Sequence, residues 1–339
     1  MKIKIAATIC ISIFAVLLGI AIGSVNIVPL SIVRIIGYRV FGYGLPEHIT
    51  DAQIAIVWNL RLPRALLAFC AGAALSVSGA VMQSVLRNPL ASSYTLGVSS
   101  GASLGASLVI LVGVSLPFFQ MMTLPFLGFT FGLATIFIVM AIARTLDVRM
   151  ENHTVILTGM VFSLFINAIT TLMFSFYREG TQRMVFWQMG SFSMRDWSAV
   201  YILAPISLVG ILAIYRFKWE MDVMTFGEEQ AGTVGVNVRP VKTSLLVIAA
   251  ALTGSTIAFV GVIGFVDLVA PHVVRKIFGP VARIVIPMSA LVGGAFMVTA
   301  DIAARTVTAP VELPVGAVTA IIGAPFFAYI FFSKRRLRK

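Results

Sequence analysis

The chain has 339 residues, 59% of them hydrophobic and only 11% charged, with a mean hydropathy of +1.00. A soluble core cannot hide that much apolar surface, so the composition excludes a water-soluble globular domain and indicates an all-α polytopic membrane protein. The net charge of +12 does not mark a nucleic-acid binder, because the basic residues gather in short loops and at the C-terminus, as on the cytoplasmic face of a membrane protein.

Each crossing needs about 20 apolar residues, and about ten candidate spans account for nearly the whole chain. Residues 1–339 therefore read as a single transmembrane domain. The first span covers 5–25. Lys2 and Lys4 precede an apolar run longer than a signal-peptide core, so it reads as a span. Residues 26–60 form an outside connector in which Ile32, Val33, Ile36 and Val40 have the spacing of an amphipathic helix at the interface. The second span, 64–86, opens on Arg61-Leu-Pro-Arg64 and ends on the polar break Arg87-Asn88-Pro89-Leu90-Ala91. Charges near lipid are costly and mark function, and backbone broken at membrane depth must be satisfied by protein or water. The third span, 95–113, repeats glycine at Gly97, Gly101 and Gly105, which suits close helix packing.

The fourth and fifth spans cover 122–144 and 154–176. An outside segment at 178–197 carries Trp187, Gly190 and Trp197, tryptophans suited to interfacial anchoring. After the sixth span, 198–217, comes the longest inside loop, 218–242, the most polar part of the chain. Within it Thr225–Asn237 reads as a short helix, a glycine turn and a second short helix, a surface shaped for a soluble partner. The seventh span, 243–262, contains Ala250-Ala-Leu-Thr253, an echo of Ala73-Ala-Leu-Ser76 in the second. The two run in opposite senses, as in the inverted repeats of transporters. The eighth span, near 265–280, is short and Pro-broken; the ninth and tenth cover 285–304 and 314–332. An even number puts both termini on one side, and the basic tail Lys334–Lys339 makes that side cytoplasmic.

Several chemistries lack their residues. No Gly-Lys dipeptide occurs, so there is no phosphate-binding P-loop, and any ATP must be bound by another chain. His48, His153 and His272 have no metal-ligand spacing, and no metal or other cofactor is expected. No Ser-His-Asp or paired-carboxylate constellation falls in one span, which argues against an enzyme. Cys10 and Cys70 lie in apolar segments as buried free thiols. The acids that could couple transport to an ion are Asp267, Asp301 and Glu312. Asp301 stands four residues before Arg305 and can pair with it on one helix face. A proton- or sodium-coupled secondary transporter of a hydrophobic solute is the competing reading.

The ordered run of motifs narrows the choice. Arg61-Leu-Pro-Arg64, Gly72-Ala-Ala-Leu, Ser78-Gly79, Gln83, Arg87-Asn88-Pro89-Leu90-Ala91 and Leu96-Gly97-Val98-Ser99 are followed by Trp187-Gln-Met-Gly190-Ser191, Gly227-Glu228-Glu229 and Gly235-Val-Asn237. Then come Gly264-Phe265, Pro271-His272, Arg275, Ala300-Asp301, Arg305, Glu312-Leu-Pro314-Val-Gly316 and Gly323-Ala-Pro325-Phe326. This pattern resembles the permease subunits of binding-protein-dependent ABC importers for ferric siderophores, haem and vitamin B12.

The resemblance implies a vitamin B12 permease-like fold in a bacterial or archaeal cytoplasmic membrane. It implies a second permease subunit (the same or a related chain), cytoplasmic ABC ATPase subunits and an extracytoplasmic substrate-binding protein, with ferric siderophore as the expected cargo. It assigns docking of the binding protein to Arg61, Arg64 and Arg305, and ATPase coupling to Phe226, Gly227, Glu228, Glu229, Ala231 and Gly235. The fifth span lines the path through Asn152, Met160, Asn167, Thr170 and Met173, and residues 147–153 form the inner gate. One departure is Gly264-Phe265-Val266-Asp267-Leu268, with an acid where the family has a small residue. Asp267 is expected to cap backbone amides or face a polar cavity.

Overall fold

A computed structural model describes residues 1–336 apart from 24, 26, 47, 48, 118, 119 and 149, with side chains as far as residue 329. His48, residue 149 of the expected gate and the side chains of the basic tail lie outside the described residues. All regular structure among the described residues is helical.

Helix α1 (Lys2–Ala21) is followed by α2 (Pro29–Phe41), which starts on the fixed φ of Pro29 and stops at left-handed Gly42. Ile32 and Ile35 of α2 face a core with Ile20, Ile54 and Val57, while Val33 and Val40 point outward, so α2 is apolar on two sides. A capping box between Thr50 and Gln53 starts α3 (Asp51–Ala55). A π-helical stretch (Ile56–Arg61) carries α3 without interruption into α4 (Leu62–Val85). The cause is Pro63, which has no N–H and crowds the carbonyl one turn back; the helix widens, and the Leu62 N–H reaches Val57 O. The second span therefore begins inside a longer rod, at Asp51 rather than 64.

Helix α4 is the hub. Nearly all of it is buried, and its small residues let neighbours come close. A Cβ on Gly72 would overlap the Gly293 carbonyl, and one on Gly79 would overlap the Asp267 carbonyl. The break after α4 folds back into protein. Asn88 Oδ1 accepts the Leu90 N–H at 2.9 Å, Thr253 donates to Ser93 Oγ at 2.9 Å, and the Tyr94 hydroxyl donates to Ile263 O. This dip shortens the third span to α5 (Val98–Ile110), whose Gly101 and Gly105 lie on the backbone of α6 (Thr123–Leu146).

Next come α7 (Asn152–Phe176), α8 (Thr181–Gln188) and α9 (Trp197–Arg216). Trp197 Nε1 donates to Trp58 O at 2.8 Å and its ring lies against Trp58, so it pins α9 to the π-helical stretch. The inner loop forms α10 (Lys218–Met224) and α11 (Glu228–Thr233), separated by Gly227 at φ +137°. The loop holds two short helices, but only α11 falls within Thr225–Asn237, where both were expected; α10 lies upstream of Thr225, and α12 (Val238–Val260) starts five residues before the expected seventh span. The last helices are α13 (Val266–Phe278), α14 (Ala282–Thr306) and α15 (Val315–Arg336).

Each of the ten expected spans has a helix. Seven helices among the described residues are long and apolar enough to cross a membrane. Val98–Ile110 and Val315–Tyr329 are apolar but shorter, and α13 has 13 residues, a rise of about 20 Å against a hydrocarbon core of about 30 Å. Helices α4 and α12 pack together at the centre, where Ser78 Oγ donates to Ala249 O at 2.6 Å.

Candidate docking, coupling and path sites

The three expected docking arginines converge at one end of the molecule. Arg64 lies between two acids: Nη2 is 2.8 Å from Asp301 Oδ1, and Nη1 is 2.8 Å from Glu312 Oε1. Its Nε also reaches both Asp301 oxygens at 3.1 Å. Arg305 pairs with Asp301 at 3.6 Å across one helical turn, as the spacing predicts, and donates to Gly19 O at 2.6 Å. Arg61 donates to Ala21 O at 2.8 Å, to Ile20 O and to Val25 O. Gly19, Ile20 and Ala21 end α1, where carbonyls have no helical partner. Arg61 and Arg305 therefore cap α1; Arg61 is buried, and the Arg305 side chain is only 7% exposed.

This placement corrects the expectation that all three arginines face a partner. Among the described residues, only Arg64 has an acidic partner at the surface, Glu312, whose side chain is 38% exposed against 1% for Asp301. The hydrogen bond from Arg64 holds the Glu312 carboxyl below the ordinary glutamate range, although partial burial opposes this.

At the other end lies a cleft of about 630 Å³ between the α4–α5 break, the start of α7 and α11, lined by Arg87, Asn88, Glu151, Asn152, His153 and Gly227–Gln230 among others. Beside it the expected coupling residues divide. Phe226, Glu229 and Gly235 are exposed, as are Trp219 and Val234, which the sequence reading did not select. Ala231 is fully buried against the core and Gly227 is also inside, so neither offers a contact surface, contrary to expectation. Glu228 turns inward to Lys242 at 2.7 Å.

Lys242 is the residue that sequence reasoning missed. It is 2% exposed, and its Nζ donates to Glu228 Oε1 (2.7 Å), Asn152 Oδ1 (2.6 Å) and Met150 O (2.7 Å). The available signal was a lysine at the mouth of an apolar span with an acid upstream, which would be charged and near lipid.

The expected path residues divide as well. Met160 and Asn167 are exposed on α7, beside Leu164. Thr170 is buried and donates to Ile166 O of its own helix, while Met173 sulfur accepts from Ser107 on α5. These two pack inside the subunit and do not share the open face. Asp267 is buried at the start of α13, among the first backbone N–H groups of that helix, and neither carboxylate oxygen makes a hydrogen bond of full geometry among the described residues.

The FecCD transport family matches residues 11–333. An ABC transporter permease of Bacillus subtilis (strain 168), YvrB, is 40% identical over 95% of this chain and 91% of its own length. A cobalamin import system permease, BtuC, of Halobacterium salinarum is 39% identical over 85% of this chain and 75% of its own. Among solved structures, an inward-facing conformation of a putative metal-chelate type ABC transporter superposes with a TM-score of 0.85 at 26% identity, covering 98% of this chain and 100% of that one.

Proposed function

Because the chain belongs to the FecCD transport family, we propose that it forms the path by which an ABC importer brings a metal chelate, a ferric siderophore in the first instance with haem or cobalamin as the same class, across a bacterial or archaeal cytoplasmic membrane. The chain is a permease subunit and not an enzyme; ATP hydrolysis resides in a separate subunit. Family membership sets the ion-coupled reading aside.

One observation carries the assembly. In the most polar part of the chain, Phe226 is 77% exposed, and Val234 and Trp219 are exposed in the same loop. Apolar side chains on a segment outside the membrane have neither lipid nor core to cover them, and such a patch fits a soluble protein partner. We assign that partner as the ATPase, contacted by Phe226, Glu229, Val234 and Gly235, with Glu228 and Ala231 supporting the loop from inside. At the opposite end an extracytoplasmic binding protein docks over Arg64, with a carboxylate of the partner exchanging for Glu312. Arg61 and Arg305 hold the platform from below. Such charge pairs steer encounter and fix register.

The open face of α7 gives the path. Asn167 in the middle of a spanning helix is costly against lipid and is satisfied beside water or another subunit. A second permease subunit facing Met160 and Asn167 encloses that path, and the whole chain serves as one transmembrane domain with both termini cytoplasmic. Alternating access then consists of opening and closing residues 147–153 below it.

The test is uptake into proteoliposomes holding the purified complex. Radio-iron delivered as a ferric siderophore on its binding protein enters only when ATP is supplied on the ATPase side. Equal uptake on a proton or sodium gradient without ATP overturns the reading.

A further inference from the structure

We propose that Lys242 is the mechanical link that carries movement of the inner loop to α7, a positioning role that rests on the transport reading above. Three chain segments meet at its ammonium group: α12, which carries it, α11 through Glu228, and the start of α7 through Met150 and Asn152, the two residues flanking the α7 N-cap. A lysine has three N–H donors, and here each has one acceptor at 2.6–2.7 Å. The group is out of water, so letting go of any one acceptor leaves a buried donor unmatched, and letting go of Glu228 leaves a buried charge unpaired. The three segments therefore move as one.

The rest of the loop is tied elsewhere. Asp222 on α10 accepts the Ala282 N–H at the start of α14 at 2.7 Å, and α10 packs on α14 and on the buried hub α4. Helix α11 is joined through Lys242, near the start of α12, to the N-terminus of α7, which packs chiefly on α5 and α6 and exposes one long face. A push on the loop thus finds α10 anchored to the hub and α11 tied, through the Lys242 side chain of α12, to the start of α7, a helix whose outer face has no neighbour in the subunit. Movement goes to the cytoplasmic end of α7, beside the cleft lined by Asn152 and Glu228.

The experiment uses the complex purified with its ATPase. In a C10A/C70A background, M160C is labelled with a maleimide before and after addition of Mg-ATP and vanadate. With Lys242 intact, nucleotide changes the labelling rate. In K242M, which keeps the apolar stem and removes the donors, ATP hydrolysis persists while that change shrinks about tenfold. A full labelling change in K242M overturns the link. So does loss of hydrolysis and labelling in proportion, which marks a merely structural lysine. If K242M does not assemble, N152A, which removes one of the two bonds to the α7 side and leaves Glu228 paired, must reduce the labelling change; a full change there overturns the link. No nucleotide effect with Lys242 intact contradicts the transport reading itself.

Discussion

Asp301 has no exposed surface, yet it faces two arginines, Arg64 at 2.8 Å and Arg305 at 3.6 Å. Removing its charge leaves two largely enclosed cations, Arg64 and Arg305, with one exposed acid between them. Breaking a buried pair from one side costs about 3–5 kcal/mol, whereas an exposed pair contributes about 0–1 kcal/mol. Asp301→Asn is therefore expected to lower the thermal midpoint in detergent strongly, and Glu312→Gln to change it little. The Glu312 pair also has a pH signature. Its carboxyl is held below the ordinary glutamate range when folded, so its contribution is complete above the unfolded value and is lost as pH falls through the folded one. The small difference between Glu312→Gln and the unmodified chain should stay constant from neutral pH down to about pH 5 and vanish in stronger acid. The Asp301–Arg305 pair was legible from a spacing of four on one helix. The Arg64 partners were not, since they lie 237 and 248 residues away and only the packing of α4 on α14 brings them near.

Apolar runs located every long helix, while the ends depended on contacts no run contains. Pro63 marked a boundary by the usual rule, but a widened turn and the Trp58–Trp197 contact carried the helix through it. The third span is short because residues 88–97 dip inward to bond with α12 and Ile263, a tertiary arrangement. Small residues in α4 signalled close packing without naming the neighbour. Gly79 meets the Asp267 carbonyl, so Gly79→Leu forces α4 and α13 apart at about 1–3 kcal/mol or more and should reduce folded protein recovered from membranes. Gly232 on α11 meets nothing, and Gly232→Ala should leave the thermal midpoint unchanged or raise it slightly, by up to about 1 kcal/mol. Equal losses in both variants would contradict the hub role of α4.

The molecule as a whole has two polar ends joined by helices of unequal freedom. At one end buried arginines close α1 and present Arg64; at the other a loop shows Phe226 outward and sends Glu228 inward. Motif order made the family and the two ends legible. Which members of each motif face outward was not legible, because Ala231, Thr170 and Arg61 differ from exposed neighbours only in helix rotation and depth. The central claim is that this permease is driven by a separate ATPase held at the Phe226 surface. It is tested most directly by mass spectrometry of the complex retained by this chain from its native membranes in mild detergent. The account predicts a P-loop ATPase in equal number with the permease, lost or sharply reduced with Phe226→Ala. Recovery of the chain alone, or of the ATPase undiminished with Phe226→Ala and with Glu229→Ala, would contradict it.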